Sequence, residues 1–268
     1  MRRWLAGRPR GLPFTIAGVV FLTACAARIP PRPAGPATPD PTALDAFRQA
    51  TKSCAGLRTL TVELRLSGRA GEERLGGTLH AGFEAPASVR VEALAPFGQP
   101  FFILAGRNNR ATLLLPRDDG VLRDAAVAEI LERLTGLSLG ADDLRLILTG
   151  CLSDPANPVE GRAYSNAWRA VTLGSGIVAY LKPVAGTPAI VAADHGDWRV
   201  DYSSHLNGWP RHVRIRSVSG HVDLRTSLGE LEVNAGIDPQ AFEVAVPTNA
   251  AIITLDHLRS VAPLKVTR

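Results

Sequence analysis

The chain has 268 residues, 46% of them hydrophobic and 21% charged, with a formal charge of +5. Those proportions belong to a folded globular protein and exclude a disordered chain or a polytopic membrane pump. Residues 1–24 hold four arginines and no acid, which leaves +1 for the rest of the chain. That is too little for the basic surface a nucleic-acid-binding domain keeps in its folded part, so no nucleic-acid partner is expected.

Arg2, Arg3, Arg8 and Arg10 precede an apolar run from Leu12 to Leu22. The run is too short to cross a ~30 Å hydrocarbon core as a helix, but it has the form of a signal peptide. Leu22-Thr23-Ala24-Cys25 follows and resembles the bacterial lipobox. The resemblance implies a signal peptide over 1–24, cleavage after Ala24 and a diacylglyceryl group, palmitate-bearing, on Cys25. In such lipoproteins an aspartate after the cysteine retains the protein in the inner membrane. The residue here is Ala26, so the resemblance implies an outer-membrane, lipid-anchored protein facing the periplasm.

Pro30, Pro31, Pro33, Pro36, Pro39 and Pro41 crowd the next segment. Proline excludes helix interior and central strand, so residues 25–41 read as a semi-rigid tether of about 50 Å. Residues 42–268 then form one domain. With Cys25 acylated, Cys54 and Cys151 remain. In an oxidising periplasm they are either bridged or two buried, inert thiols.

Asp40-Pro41 caps a helix over Thr42–Ser53, with Leu44, Phe47 and Ala50 on one face. Period-2 alternation follows: Leu60, Val62, Leu64 and Leu66, then Leu75, Leu79, Ala81 and Phe83, then Val89, Val91 and Ala93. Phe101–Ala105 and Ala111–Leu115 flank a hairpin signal at Gly106-Arg107-Asn108-Asn109. Asp124 is placed to cap a helix carrying Val127, Ile130, Leu131 and Leu134. Gly136 and Gly140 bracket a link to a second helix through Leu144, Ile147 and Leu148, which ends at Gly150. Strands are expected again at 162–173, 177–182, 188–194, 198–203, 210–218, 221–226 and 229–234, with a short turn or helix at 238–243 and a last strand at Ile252–Leu255. The fold class is therefore mainly β (α+β). A sheet this large curls rather than lying flat, giving a curved, antiparallel, incomplete β-barrel with the helical pair placed as its lid.

Gly136-Leu137-Ser138-Leu139-Gly140 matches the G-x-S-x-G pattern, but that motif catalyses only on a strand-to-helix turn, and here it lies between two helices. The six histidines have no metal-ligand spacing. Asp194, His195 and Asp197 read as a solvated turn. No phosphate loop or dinucleotide fingerprint is present, so no enzyme activity, metal or cofactor is expected.

Several segments in order resemble the LolB outer-membrane lipoprotein receptor and the wider LolA/LolB-like group. They are Val91–Pro100 with its central Pro96-Phe97-Gly98, Ile130–Gly136, Leu144–Gly150, Gly196–Tyr202, Gly208-Trp209-Pro210, and Leu231–Asn234 with Ala241–Val244. The last pair is closer to LolA than to LolB. The resemblance implies an apolar cavity for the acyl chains of lipoproteins, cargo received from a LolA-type periplasmic carrier, insertion into the outer membrane, and a monomer. Leu60, Val62, Leu64, Leu66, Leu75, Leu79, Phe83, Val89 and Val91 are the candidates to line the cavity, or equally to form a close-packed core. Phe97, between Pro96 and Gly98, stands where the family presents an apolar side chain to the membrane, the other reading being a Phe packed into the domain. The same fold also suits a binding module or scaffold for another lipid or partner protein.

Overall fold

The computed structural model describes residues 31–95, 99–152 and 157–266. A two-residue strand, β1 (Thr38–Pro39), leads into helix α1 (Thr42–Ala50), whose start is held by Asp40: its carboxylate accepts from the Thr42 backbone N–H and hydroxyl. A meander follows: β2 (Thr59–Ala70), β3 (Glu73–Glu84), β4 (Ser88–Leu94), β5 (Phe102–Arg107), β6 (Arg110–Leu115) and β7 (Gly120–Ala126). Helices α2 (Val127–Thr135) and α3 (Ala141–Thr149) interrupt it, and both end on a left-handed glycine, Gly136 and Gly150, a conformation glycine adopts without strain. The chain resumes with β8 (Pro158–Ala163), β9 (Arg169–Leu173), β10 (Val178–Val184), β11 (Thr187–His195), β12 (Trp198–Ser203), β13 (His212–Ser217) and β14 (Val222–Val233). A 3-10 turn (Pro239–Phe242), β15 (Ala251–Ile252) and α4 (Leu255–Val261) complete the described chain.

All fifteen strands belong to one sheet, in the order β1-β8-β9-β10-β11-β12-β13-β14-β2-β3-β4-β5-β6-β7-β15, antiparallel except where β15 runs parallel to β7. Fifteen strands about 4.8 Å apart would make a flat sheet roughly 70 Å wide. Instead, Leu60 to Leu115 on one half and Val171 to Val200 on the other join a single buried cluster. The sheet is therefore curled over its own apolar face, and β1 and β15 stand at unjoined margins: an open half-barrel. Helix α1 packs on β8, β9 and β11, while α3 packs on β3 and β4 and α2 on β7 and α4, so the helices cover the concave side.

Several local expectations are corrected. The strand expected over 162–173 is two strands, because Asn166 and Ala167 take φ of 58° and 60° and turn the chain between them. The two expected at 221–226 and 229–234 are one strand with a bulge between Leu228 and Leu231. At Ile252–Leu255 only Ala251–Ile252 is extended, and Leu255 already starts α4, capped by the Thr254 hydroxyl accepting from the His257 N–H. Asp124 does not cap α2; it is drawn to Arg110 across the β6–β7 pair, and Ala126 occupies the cap position. From Pro31 onward the proline-rich segment is docked, not free. Arg32 is hydrogen-bonded into the sheet, and Thr38 and Pro39 pair with Ala163 and Arg162.

Residues 239–266 wrap the half-barrel. The 3-10 turn lies on the outer face, where Arg90 donates to the Ala241 and Glu243 carbonyls and Arg107 to that of Pro239, its guanidinium over the Phe242 ring. The chain then rounds the β7 margin, packs α4 on α2, and tucks Leu264 against β3, where the Gly76 N–H donates to its carbonyl.

Candidate functional site

An apolar chamber of about 100 Å³ lies between the concave sheet and the helical lid. Its floor is Leu64 and Leu66 of β2, Leu79 and Phe83 of β3, Val91 of β4, Phe102 and Leu104 of β5, Ile215 of β13, and Leu224 of β14. Its roof is Leu131 and Leu134 of α2, Leu137 and Leu139 of the link, and Leu144 and Leu148 of α3, with Leu264 closing one side. The roof follows from sequence: leucines three apart on α2 and four apart on α3 put one face of each helix onto the sheet.

Among the described residues, Thr135 and Thr226 are the only polar ones in that lining. Both hydroxyls turn away to backbone: Thr135 donates to the Leu131 carbonyl at 2.7 Å and Thr226 to that of Val213 at 3.3 Å. The chamber thus offers a ligand neither donor nor charge. Its volume falls well below the roughly 300–1,000 Å³ of small-molecule sites. With the lid in this position the chamber is too small for a fatty chain, which is accommodated only if the lid shifts.

The two ends of the lid are tied differently. At the far end, Cys151, just past α3, is disulfide-bonded to Cys54, with Cα atoms 5.6 Å apart. Beside it Arg145, a buried arginine, donates to the Leu57 carbonyl and to Asp142. At the near end the ties are hydrogen bonds to one turn residue. Asn109 accepts from Val127 N–H with its backbone carbonyl and from Ala141 N–H with its side chain, at a φ of 58° that asparagine tolerates well. Asp143 adds a bond from the Gly140 N–H. Arg133 and Asp256 meet at 3.5 Å between α2 and α4.

A second cleft, of about 650 Å³, opens at the disulfide end between α1, the β10–β11 hairpin and the Trp209 turn. His205 lies in its wall with Nε2 3.1 Å from the Ile190 carbonyl, and burial holds its imidazole pKa below the ordinary range. Tyr202, fully buried on β12, has a hydroxyl with no hydrogen-bond partner among the described residues, and burial pushes its pKa up.

Of the nine candidate lining residues, Leu64, Leu66, Leu79, Phe83 and Val91 border the chamber. Leu60, Val62, Leu75 and Val89 are buried in the same cluster without bordering it. Cys25 and Pro96-Phe97-Gly98 lie outside the described residues. Ser138 is exposed on the link between α2 and α3. Among the described residues no group of His, Cys, Asp or Glu is arranged to hold a metal, and no helix is long and apolar enough to cross a membrane. Sequence reading missed the share of Phe102, Leu104, Ile215 and Leu264. The first three carry ordinary strand alternation; Leu264 carries no signal at all.

The fold and chamber define a class: open, curled half-barrels with a helical lid over an apolar interior. No family model matches the sequence, and no curated protein does. Among solved structures, the chain is similar to a DUF1329 family protein from Desulfovibrio piger (TM-score 0.48, 11% identity, covering 75% of this chain and 97% of that one). It is also similar to a LolA superfamily protein from Nitrosomonas europaea (0.46, 10%, 75% and 97%) and to the lipoprotein LppX of Mycobacterium tuberculosis (0.33, 13%, 74% and 98%). At such identities and scores none of them assigns the chain to a family.

Proposed function

We propose that this is an envelope lipoprotein that shelters acyl chains in the chamber beneath its lid, anchored through Cys25 and working without covalent chemistry. The observation that carries the reading is the chamber: apolar on every side, with both lining hydroxyls already satisfied by backbone. A site of that composition favours hydrocarbon and gives a polar substrate nothing to hold. The finer reading is a LolB-like receptor in the outer membrane that accepts acylated lipoproteins from a LolA-type carrier and inserts them. It rests on the lipobox and on the ordered segments from Val91 to Val244. Purified protein mixed with a carrier loaded with an acylated lipoprotein takes up that cargo on this reading; cargo that stays wholly on the carrier overturns it.

The small volume supports a second reading, a binding module for a single-chain amphiphile. Mass spectrometry of co-purifying lipid separates the two, since acylated protein supports transfer and a free fatty acid or lysolipid supports the module.

A further inference from the structure

The outer face of the half-barrel gathers the arginines into cross-strand rows. In register across β11, β12, β13, β14, β2 and β3 stand Asp194, Arg199, Arg216, Asp223, Arg69 and Arg74. The next row holds Asp201, Arg214, Arg225, Ser67 and Gly76. Three arginine pairs therefore sit directly opposite one another, Arg199 with Arg216, Arg214 with Arg225, and Arg69 with Arg74. Like charges so placed destabilise a sheet. The aspartates offset part of this: Asp223 is bound by Arg214 through both oxygens, at 2.7 and 2.8 Å, and Asp201 accepts from Arg216 at 2.7 Å. Arg199 and Arg225 stay about half exposed, and Arg69 and Arg74 are exposed. The two rows carry a net +3 where the whole chain after residue 24 carries +1, so the charge is concentrated here and offset elsewhere.

The N-terminal segment docks on the same face. Arg32 reaches Asp194 and Asp201 at the head of these rows, and Cys25 is seven residues upstream, within about 25 Å of extended chain. The rows also lie at the end of the sheet where the lid meets the strand tips: a Cβ on Gly136 would come 2.9 Å from a Val222 methyl and 3.6 Å from Ala70.

We propose that the Arg69–Arg74 and Arg199–Arg225 face is a docking surface for an anionic phospholipid bilayer, which holds the lid end of the half-barrel toward the lipid. The placement of the bilayer beside this face rests on the reading of Cys25 as the anchor. An anionic surface supplies the countercharge that the rows lack within the fold.

The test uses the chain from Ala26 to Arg268, which contains every described residue and no acyl anchor, so it is independent of Cys25 acylation. Sedimentation with phosphatidylcholine vesicles, alone or mixed with phosphatidylglycerol, gives tighter partition onto the anionic vesicles, lost at high salt. The double variant Arg69→Gln/Arg74→Gln weakens that partition about 30-fold, at roughly 1 kcal/mol for each basic residue at the surface. Arg48→Gln, on α1 at the concave side, leaves it unchanged. The melting temperature of the double variant stays level or rises, since a like-charge pair has been relieved, which separates docking from folding. Equal binding to both vesicle types, an unaltered double variant, or tighter binding to duplex DNA than to the anionic vesicles overturns the proposal. Mass spectrometry of the native protein tests the anchor separately. Without acylation the anchor reading falls and lipid-dependent docking stands.

Discussion

Arg32 donates to Asp201 at 2.5 Å across 169 positions of chain, joining the N-terminal segment to a carboxylate that is only 1% exposed. The same guanidinium donates to Asp194 and to the carbonyls of Ala193 and Val200, and Arg216 satisfies the other Asp201 oxygen. A carboxylate this buried is tolerated only because it is paired and hydrogen-bonded. Arg32→Ala strips one partner and leaves Arg216, so the expected loss is ~1–3 kcal/mol of stability. Urea unfolding measures it. A midpoint equal to wild type would mean that the segment is not docked in solution.

Leu264 is the side wall of the chamber that comes from furthest along the chain. Truncation to alanine widens the space and loses packing, at a cost of ~2–4 kcal/mol. It also exposes the apolar interior, so a fluorescent fatty-acid probe binds tighter to Leu264→Ala than to wild type. A probe affinity that does not change would show that this residue does not gate entry.

The Cys54–Cys151 bond closes a loop of 97 positions. In the chain-entropy model such a loop is worth about 4–5 kcal/mol. Cys54→Ala/Cys151→Ala should therefore unfold at markedly lower urea, while reduction of the wild type brings it to the same midpoint. If the double variant and the oxidised protein unfold together, the bridge contributes nothing.

His205 gives the fold a dependence on mild acid. Burial lowers its folded pKa beneath the ordinary ~6.5, so the unfolded chain binds the proton more readily. Stability from this group is intact above that value and declines as pH falls from ~6.5 toward the folded pKa. Melting temperatures between pH 7.5 and 5 should fall in the wild type and fall less in His205→Gln, whose amide replaces the donor to the Ile190 carbonyl. Parallel curves for the two proteins would remove His205 as the cause. The low pKa of Asp223, held down first by its hydrogen bond from Arg214, acts in a separate window below ~4.

Tyr202 carries a buried hydroxyl with no partner among the described residues. Removing an unsatisfied group relieves its desolvation cost, so Tyr202→Phe raises stability by ~1 kcal/mol or more. Thermal and urea midpoints both report it, and a decrease in either would mean that the hydroxyl has a partner in solution.

Residues that act through local pattern were legible before any coordinates. The alternation of Leu60 to Leu66 named the buried face of β2, and Gly136 and Gly150 marked where two helices stop. The failures share one cause, partners distant in sequence. Asp124 has the form of a helix cap, but Arg110 on the neighbouring strand competes for it. Pro31 to Pro39 has the composition of a free tether, and nothing local announces that Arg32 will find Asp194 and Asp201 more than 160 positions away. The hollow itself was legible only as a choice. Leu64 and Leu60 share one alternating run, and only the placement of the lid decides which of them faces empty space.

The two margins of the sheet are each finished by a two-residue strand, β1 on one side and β15 on the other, both drawn from segments near the chain termini. Long unpaired edges are what allow β-proteins to zip together into fibres. Here β1 covers Arg162 and Ala163 of β8, and β15 covers Gly120 and Val121 of β7, so each terminal segment shortens the edge open to another molecule. Trimming either terminal segment would lengthen the bare edge of β8 or β7 and make the molecule more prone to aggregate.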